Sequence, residues 1–370
     1  MAEIDLAALR KNADVLAATV GPEVGVMAVV KADAYGHGAV ACARALERKV
    51  WGFAVSLVEE GIELRRGGIE APVIVLGSFY GYSHRDVIAY RLTPVISDEA
   101  DLERFARAVE EMDAGDLGVH LKIDTGMSRL GVRPERLADF VAALARAPRL
   151  QLTGLCSHLA DADGPDEAPT DAQLAVFDRA RAELENLGVP STAMVVHVAN
   201  SAGTVRFARA RFDLVRPGLA LYGYSPSSAA PFAGLKPVLA LKSRVVALRD
   251  VEPGTTVSYA GLYKTSTAAR IATVPIGYAD GYTRRLTGRA QVLVGGRRVP
   301  VVGAITMDMC MVDVSSVAAC KLGDEVVLLG QQGAERLTAD ELASWAGTIA
   351  WEIFCGISKR VPRVYVGDRA

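Results

Sequence analysis

Lys31 stands directly after a continuous apolar run at 24–30. An amine at the lip of a buried strand is partly desolvated, which lowers its pKa toward the free base needed to condense with a carbonyl. Other reactive types follow apolar runs in the same way. Lys122 and Asp124 close one, with Arg129 just beyond; His158 closes another; His197 precedes Asn200 and Ser201; Arg216 precedes Pro217, Gly218 and Leu219. Each alone has an ordinary explanation as a snorkelling lysine, a satisfied histidine or a turn. Gathered at one mouth, they would offer a nucleophilic amine, several cations and hydroxyl- and glycine-bearing loops.

The elements that must position them read as strands alternating with helices. Apolar runs at 24–30, 52–56, 72–76, 93–96, 117–123, 151–157, 193–198 and 213–216 are short and suit strands buried on both faces. Leu6, Leu9, Ala13, Leu16 and Val20 mark an amphipathic helix with Asp5 in the N-cap position, and further helices are expected over 56–66, 98–112, 134–146 and 166–187. Eight such units predict an α/β fold, a (β/α)8 TIM-type barrel, with a doubly wound sheet as the rival. In a barrel, functional groups gather at the C-terminal strand ends, and the last two loops commonly cradle phosphate. A carbonyl-trapping lysine beside such a cradle suggests pyridoxal phosphate.

After Gly223 the texture changes. The 225–231 stretch has linker composition, and short Val-rich segments follow, with a Gly295-Gly296 hairpin signal and one helix near 338–346. The expected organisation is a barrel over 1–231 and a mainly-β domain over 232–370. The chain has 370 residues, with 41 basic and 43 acidic side chains interspersed along it, leaving a net charge of −2. That balance offers no footprint for nucleic acid or an anionic membrane, so a small-molecule partner is expected. Charges interrupt the first residues where a secretory signal would be apolar, and five cysteines without C-x-x-C spacing indicate neither disulfide framework nor metal site. A cytoplasmic location is expected.

Val-Val-Lys-Ala-Asp-Ala-Tyr-Gly-His-Gly at 29–38 resembles the cofactor-lysine signature of bacterial alanine racemases. The resemblance continues in order through Leu121-Lys-Ile-Asp-Thr-Gly-Met-Ser-Arg-Leu-Gly131, His197-Val-Ala-Asn-Ser201, Arg216-Pro-Gly-Leu-Ala-Leu-Tyr-Gly223, Val257-Ser-Tyr259, Pro275-Ile-Gly-Tyr-Ala-Asp-Gly281 and Met307-Asp308. It implies a pyridoxal-phosphate isomerase that interconverts L- and D-alanine, supplying D-alanine for peptidoglycan precursors, and a homodimer whose two active sites are shared.

Carried over by position, Lys31 would hold the cofactor as a Schiff base and act as one base, with Tyr259 of the other subunit as the second. Tyr35, Asn200, Ser201, Gly218 and Leu219 would surround the phosphate. Arg216 would face the pyridine nitrogen with His158 nearby, and Arg129 would lie by the phenolic oxygen and the substrate carboxylate. Tyr278, Met307 and Asp308 would line the substrate pocket. Lys122 resembles a lysine that some members carboxylate. Lys359 departs from the pattern, standing where a number of relatives have a tyrosine that touches the phosphate. That departure leaves a broad-specificity, serine or lysine racemase as an alternative; a non-catalytic pyridoxal-phosphate-binding protein is the other, though such relatives lack the β domain.

Overall fold

A computed structural model describes residues 1–77, 79–190, 192, 194–227 and 229–367. Ala193 of the 193–198 run, Ser228 of the 225–231 stretch and residues 368–370 of the 232–370 domain lie outside the described residues. The chain forms two compact units. One comprises Ala8–Ala34 and Ala39–Lys236; the other comprises Met1–Ala7, Tyr35–Gly38 and Pro237–Ala370. The β-rich unit thus takes in two short pieces that the 1–231 expectation assigns to the barrel.

β1 (Ala2–Asp5) opens the chain, and Asp5 stands immediately before α1 (Leu6–Val20). The five apolar positions that mark α1 are all buried, as the spacing predicts. The barrel closes from β2 (Gly25–Val29), β3 (Gly52–Val55), β4 (Val73–Val75), β5 (Thr93–Ile96), β6 (Leu117–Lys122), β7 (Leu150–Cys156), β8 (Val195–His197) and β9 (Leu214–Val215), each parallel to the next and β9 to β2. The connections carry α2 (Lys31–Gly36), α3 (Ala39–Leu46), α4 (Val58–Arg66), α5 (Ser83–Ala89), α6 (Glu99–Glu111), α7 (Leu137–Ala145), α8 (Ala168–Asn186) and α9 (Ser201–Arg206). All eight strands fall on the apolar runs, which confirms the barrel.

Register explains why polar chemistry appears only at one end. Ile96, Leu121, Leu155 and Val196 share a row across β5 to β8 and are all buried. One residue further toward the C-terminal ends, the row reads Lys122, Cys156, His197 and Leu214.

In the second unit a ten-stranded sheet contains β1, β10 (Leu239–Arg244), β11 (Ala247–Val251), β14 (Ala269–Val274), β15 (Gln291–Val294), β16 (Arg297–Val302), β17 (Cys310–Asp313), β18 (Glu325–Gln332), β19 (Glu335–Leu337) and β20 (Arg363–Val366), and β12 (Thr256–Val257) pairs with β13 (Tyr263–Lys264). β1 lies between β10 and β20, antiparallel to the first and parallel to the second. Gly295 and Gly296, both at positive φ, turn β15 into β16, as expected. α10 (Ala339–Ala346), capped by the Thr338 hydroxyl, and α11 (Ala350–Gly356) complete this unit.

α2 was not foreseen. Ala32, Asp33, Ala34 and Tyr35 have φ between 52° and 54°, and Gly36 follows at 78°. The turn is therefore left-handed, at a cost of about 1–2 kcal/mol for each residue that carries a Cβ. Gly36 relieves that cost at its end, and a Cβ there would collide with the carbonyl oxygen of Phe354. Gly36→Ala is accordingly expected to destabilise the protein by at least about 1–3 kcal/mol. Urea unfolding of the two proteins measures it, and an unchanged midpoint would show that the turn tolerates the methyl group.

Candidate active site

A cavity of about 210 Å³ opens within the barrel unit, lined by Lys31, Lys122, Arg129, His158 and Arg216 together with Ser56, Leu76, Gly77, Val95, Leu130, Cys156 and Ser157. Five residues expected at one mouth from sequence therefore share it. Four of the lining side chains are cations and none is a carboxylate, so the cavity favours an anionic occupant.

Arg216 follows β9 and is only 4% exposed. Its Nη1 donates to the His197 carbonyl (2.6 Å) and to His197 Nδ1 (2.7 Å). Nη2 donates to the carbonyls of Ser157 (2.7 Å) and Val198 (3.0 Å) and to His158 Nδ1 (3.3 Å). Guanidinium can only donate, so both Nδ1 atoms are acceptors and each neutral ring carries its proton on Nε2. His197 Nε2 then donates to His120 Nδ1 at 2.9 Å. Burial, followed by the Arg216 charge, pulls His120 down to about 4 and His197 well below its ordinary value. His158 is lowered in the same way, with Arg129, Lys122 and Lys31 adding to the effect.

Arg129 is presented by a loop pinched shut between Ile123 and Val132. The Asp124 carboxylate accepts from Gly126 N (3.1 Å) and Ser128 N (3.0 Å), so this acid is spent on backbone. Burial lowers Lys122; Cys156 opposes that effect, and Arg129 and Arg216 reinforce it.

Asn200, Ser201, Gly218 and Leu219 do not line the cavity, but they assemble beside one another. Asn200 caps α9, its Oδ1 accepting from Gly203 N. Ser201 Oγ accepts from Gly218 N (2.9 Å) and Ala220 N (3.3 Å), tying the loop after β8 to the loop after β9. Leu219 is buried at the start of the short helical turn 219–222, where the Tyr222 hydroxyl donates to the Val29 carbonyl one residue short of the end of the 24–30 run.

The remaining expected residues belong to the β-rich unit. Tyr35 is buried within it, and its phenol is raised by that burial. Tyr259 is 72% exposed and sits between Ser258 and Ala260, both at positive φ. Ser258 Oγ donates to the Ala304 carbonyl, while the backbone of Tyr278 and Ala279 donates to Thr306 and Met307. The loops bearing Tyr259, Tyr278 and Met307 are thereby joined, and all three side chains are exposed. Asp308 pairs with Arg360 (2.7 Å), which also holds Asp280 (2.9 Å); Lys359 is exposed alongside.

Comparison with known proteins agrees with this geometry. The family described as "Alanine racemase, N-terminal domain" matches residues 4–226, and "Alanine racemase, C-terminal domain" matches 238–365. The chain belongs to the alanine racemase family. An alanine racemase from Geobacter sulfurreducens is 46% identical, covering 99% of this chain and 97% of that one. Among solved structures, an alanine racemase from Bacillus anthracis with bound L-Ala-P is 38% identical, with TM-score 0.92, covering 99% and 95% of the two chains. Another, from Bartonella henselae with covalently bound pyridoxal phosphate, is 30% identical with TM-score 0.87 and 99% coverage of both.

Two features around this cavity have no clear signal in the sequence. His120 stands between the apolar Val119 and Leu121 in β6, a signal open to either a surface or a buried reading; Gly154 opposite it leaves room for its ring. Glu60 lies on α4, and nothing in its spacing points toward Lys31. Because His120, His158 and His197 stay neutral in the fold, the unfolded chain binds more protons below about pH 6.5. Their stabilising contribution is therefore present above that pH and lost as pH falls, by about 1.4 kcal/mol per pH unit for each ring. His120→Gln should flatten the slope of unfolding free energy between about pH 6 and about pH 4.5 by roughly one such increment. Urea titrations at several pH values test this, and an unaltered slope would mean that His120 titrates normally.

Proposed function

We propose that the protein interconverts L- and D-alanine using pyridoxal phosphate carried on Lys31, as a homodimer in the cytoplasm. The cationic cavity around Lys31 is the observation that carries this reading. Its donor set fits the cofactor: an amine for the aldehyde, Arg129 for an anionic oxygen, and no lining aspartate or glutamate to repel it. Ser201, Asn200, Gly218 and Leu219, with Tyr35, are the residues to hold the phosphate. When bound, the cofactor withdraws the electron pair left on the α-carbon of the amino acid.

Racemisation needs a proton to leave one face of that carbon and return on the other. Lys31 is the base for one face; Tyr259 of a second copy is the acid and base for the other. A positioned proton transfer of this kind contributes about 10²- to 10⁴-fold. Arg216 is the residue to face the ring nitrogen, because a guanidinium donates hydrogen bonds and withholds its proton. Arg129 orients the substrate carboxylate, and Tyr278, Met307 and Asp308 shape its surroundings, with Lys359 near the phosphate.

Sharing of sites is supported by the exposed Tyr259, Leu262, Tyr278 and Met307 on one unit, a surface suited to a second copy. A cytoplasmic setting is supported by the odd cysteine count without paired spacing. Among the described residues no helix is long and apolar enough to cross a membrane.

Purified protein should racemise L-alanine, and borohydride should fix the cofactor on Lys31. Lys31→Ala should abolish both. Tyr259→Phe should retain the cofactor and lose about 10²- to 10⁴-fold in turnover. Mixing the two variants with subunit exchange should restore activity, because each heterodimer rebuilds one intact site. L-Alanine left unchanged by cofactor-loaded wild type sinks the function, and failure of the mixture to recover sinks the shared site.

Lys122 is proposed to carry a carbamate: its amine nitrogen bonds the carbon of CO₂ and a proton leaves to solvent, giving an anion that pairs with Arg129. Growth in ¹³C-bicarbonate should give a carbamate resonance that Lys122→Ala lacks. A spectrum without it in wild type rejects the modification.

A further inference from the structure

Glu60 occupies the third position of α4, and its carboxylate has three backbone partners. Oε2 accepts from Ser56 N (2.7 Å) and Leu57 N (3.0 Å), capping the helix. Oε1 reaches out of the helix and accepts from Ala32 N at 2.6 Å. That amide belongs to the peptide bond immediately following Lys31. The first amides of any helical turn have no acceptor within it, and here the first internal bond runs from Ala34 N to the Val30 carbonyl.

We infer that Glu60 is a positioning residue that fixes the peptide plane after Lys31 and so aims the lysine side chain into the cavity. The inference rests on the reading that Lys31 carries the cofactor. The left-handed turn makes the contact necessary. Four residues with a Cβ are held at positive φ, and strain of that kind persists only where surrounding contacts over-determine it. Glu60 holds the entry of the turn, and Asp33 Oδ1, accepting from Ala39 N at 2.8 Å, holds its exit. Ser56, on the same carboxylate, lines the cavity, so one side chain sets two pieces of its wall.

An ordinary helix cap affects stability alone; a positioning residue also affects turnover. Glu60→Gln separates these roles. Its single carbonyl oxygen is drawn to the two amides of Ser56 and Leu57, which keeps the cap and turns its NH₂ group toward Ala32 N–H. In the cofactor-loaded variant kcat should fall about ten- to a hundredfold, the scale of a small misplacement at a reacting centre. KM for alanine should change by less than about threefold. The pH titration of the visible absorption of the lysine–cofactor linkage should also shift, whereas Glu59→Gln, one position earlier and exposed, should match wild type.

Hydrogen exchange at the Ala32 amide of unaltered holoenzyme gives a readout independent of whether any variant folds, and protection is expected. A freely exchanging Ala32 amide overturns the inference. So does a folded Glu60→Gln enzyme with kcat within about twofold of wild type and an unshifted titration. If borohydride fixes nothing on Lys31 in wild type, the Lys31 reading itself has failed; if it does and the Gln variant behaves as wild type, only the part assigned to Glu60 has.

Discussion

A guanidinium sealed inside the mouth of a barrel is the constraint around which this site is arranged. Removing a cation from water costs several kcal/mol even after relaxation. Arg216 meets that cost with three carbonyls and two imidazole nitrogens, contributed by His197 at the end of β8 and by the segments that follow β7 and β8. The same contacts fix where those segments end in space. Because arginine is purely a donor, they also dictate the protonation pattern around it. His197 must accept, so it must pass its proton on to His120, and all three neighbouring rings are held neutral. A positive group that cannot move its proton thus organises a set of groups that otherwise titrate near neutrality.

The second constraint is backbone strain beside Lys31, which lines the cavity. A strand that simply continued would carry the chain past the mouth; a right-handed turn would wind the other way. The left-handed turn redirects the chain at once, and its cost is offset by contacts at both ends: Glu60 and Asp33 on backbone amides, and Gly36 where a side chain has no room. Glu60 on α4 and Asp124 on the loop after β6 are likewise committed to backbone amides rather than to the cavity. This arrangement satisfies loop amides while leaving the cationic character of the lining intact.

The barrel was legible because strands buried on both faces leave uninterrupted apolar runs, and all eight could be counted. The polar residues closing those runs led to five side chains of one cavity. The hand of the turn after Lys31 was not legible: Ala, Asp, Ala and Tyr have no general preference for positive φ, so tertiary contacts impose it. β1 was missed for a related reason. Its residues alternate between buried and half-buried only because β10 and β20 flank it, partners more than two hundred residues away in sequence. Asn200 was expected at the phosphate, yet its side chain carbonyl also caps α9, a role its position just before that helix already permitted.

The contrast between His120 and Lys122 shows why residue type alone assigns no role. They are two positions apart on β6, so their side chains share a face of the strand, and both lie in an environment that disfavours charge. One row separates them. His120 lies at the level of Gly154 and Val195, buried and hydrogen-bonded to His197. Lys122 lies at the level of Cys156 and His197, where its side chain lines the cavity and burial lowers its amine. The same physical cause, burial beside Arg216, therefore acts on an enclosed ring at one level and on a cavity-lining amine two residues further along the strand. What decides between them is distance to the mouth, which strand register sets and composition does not.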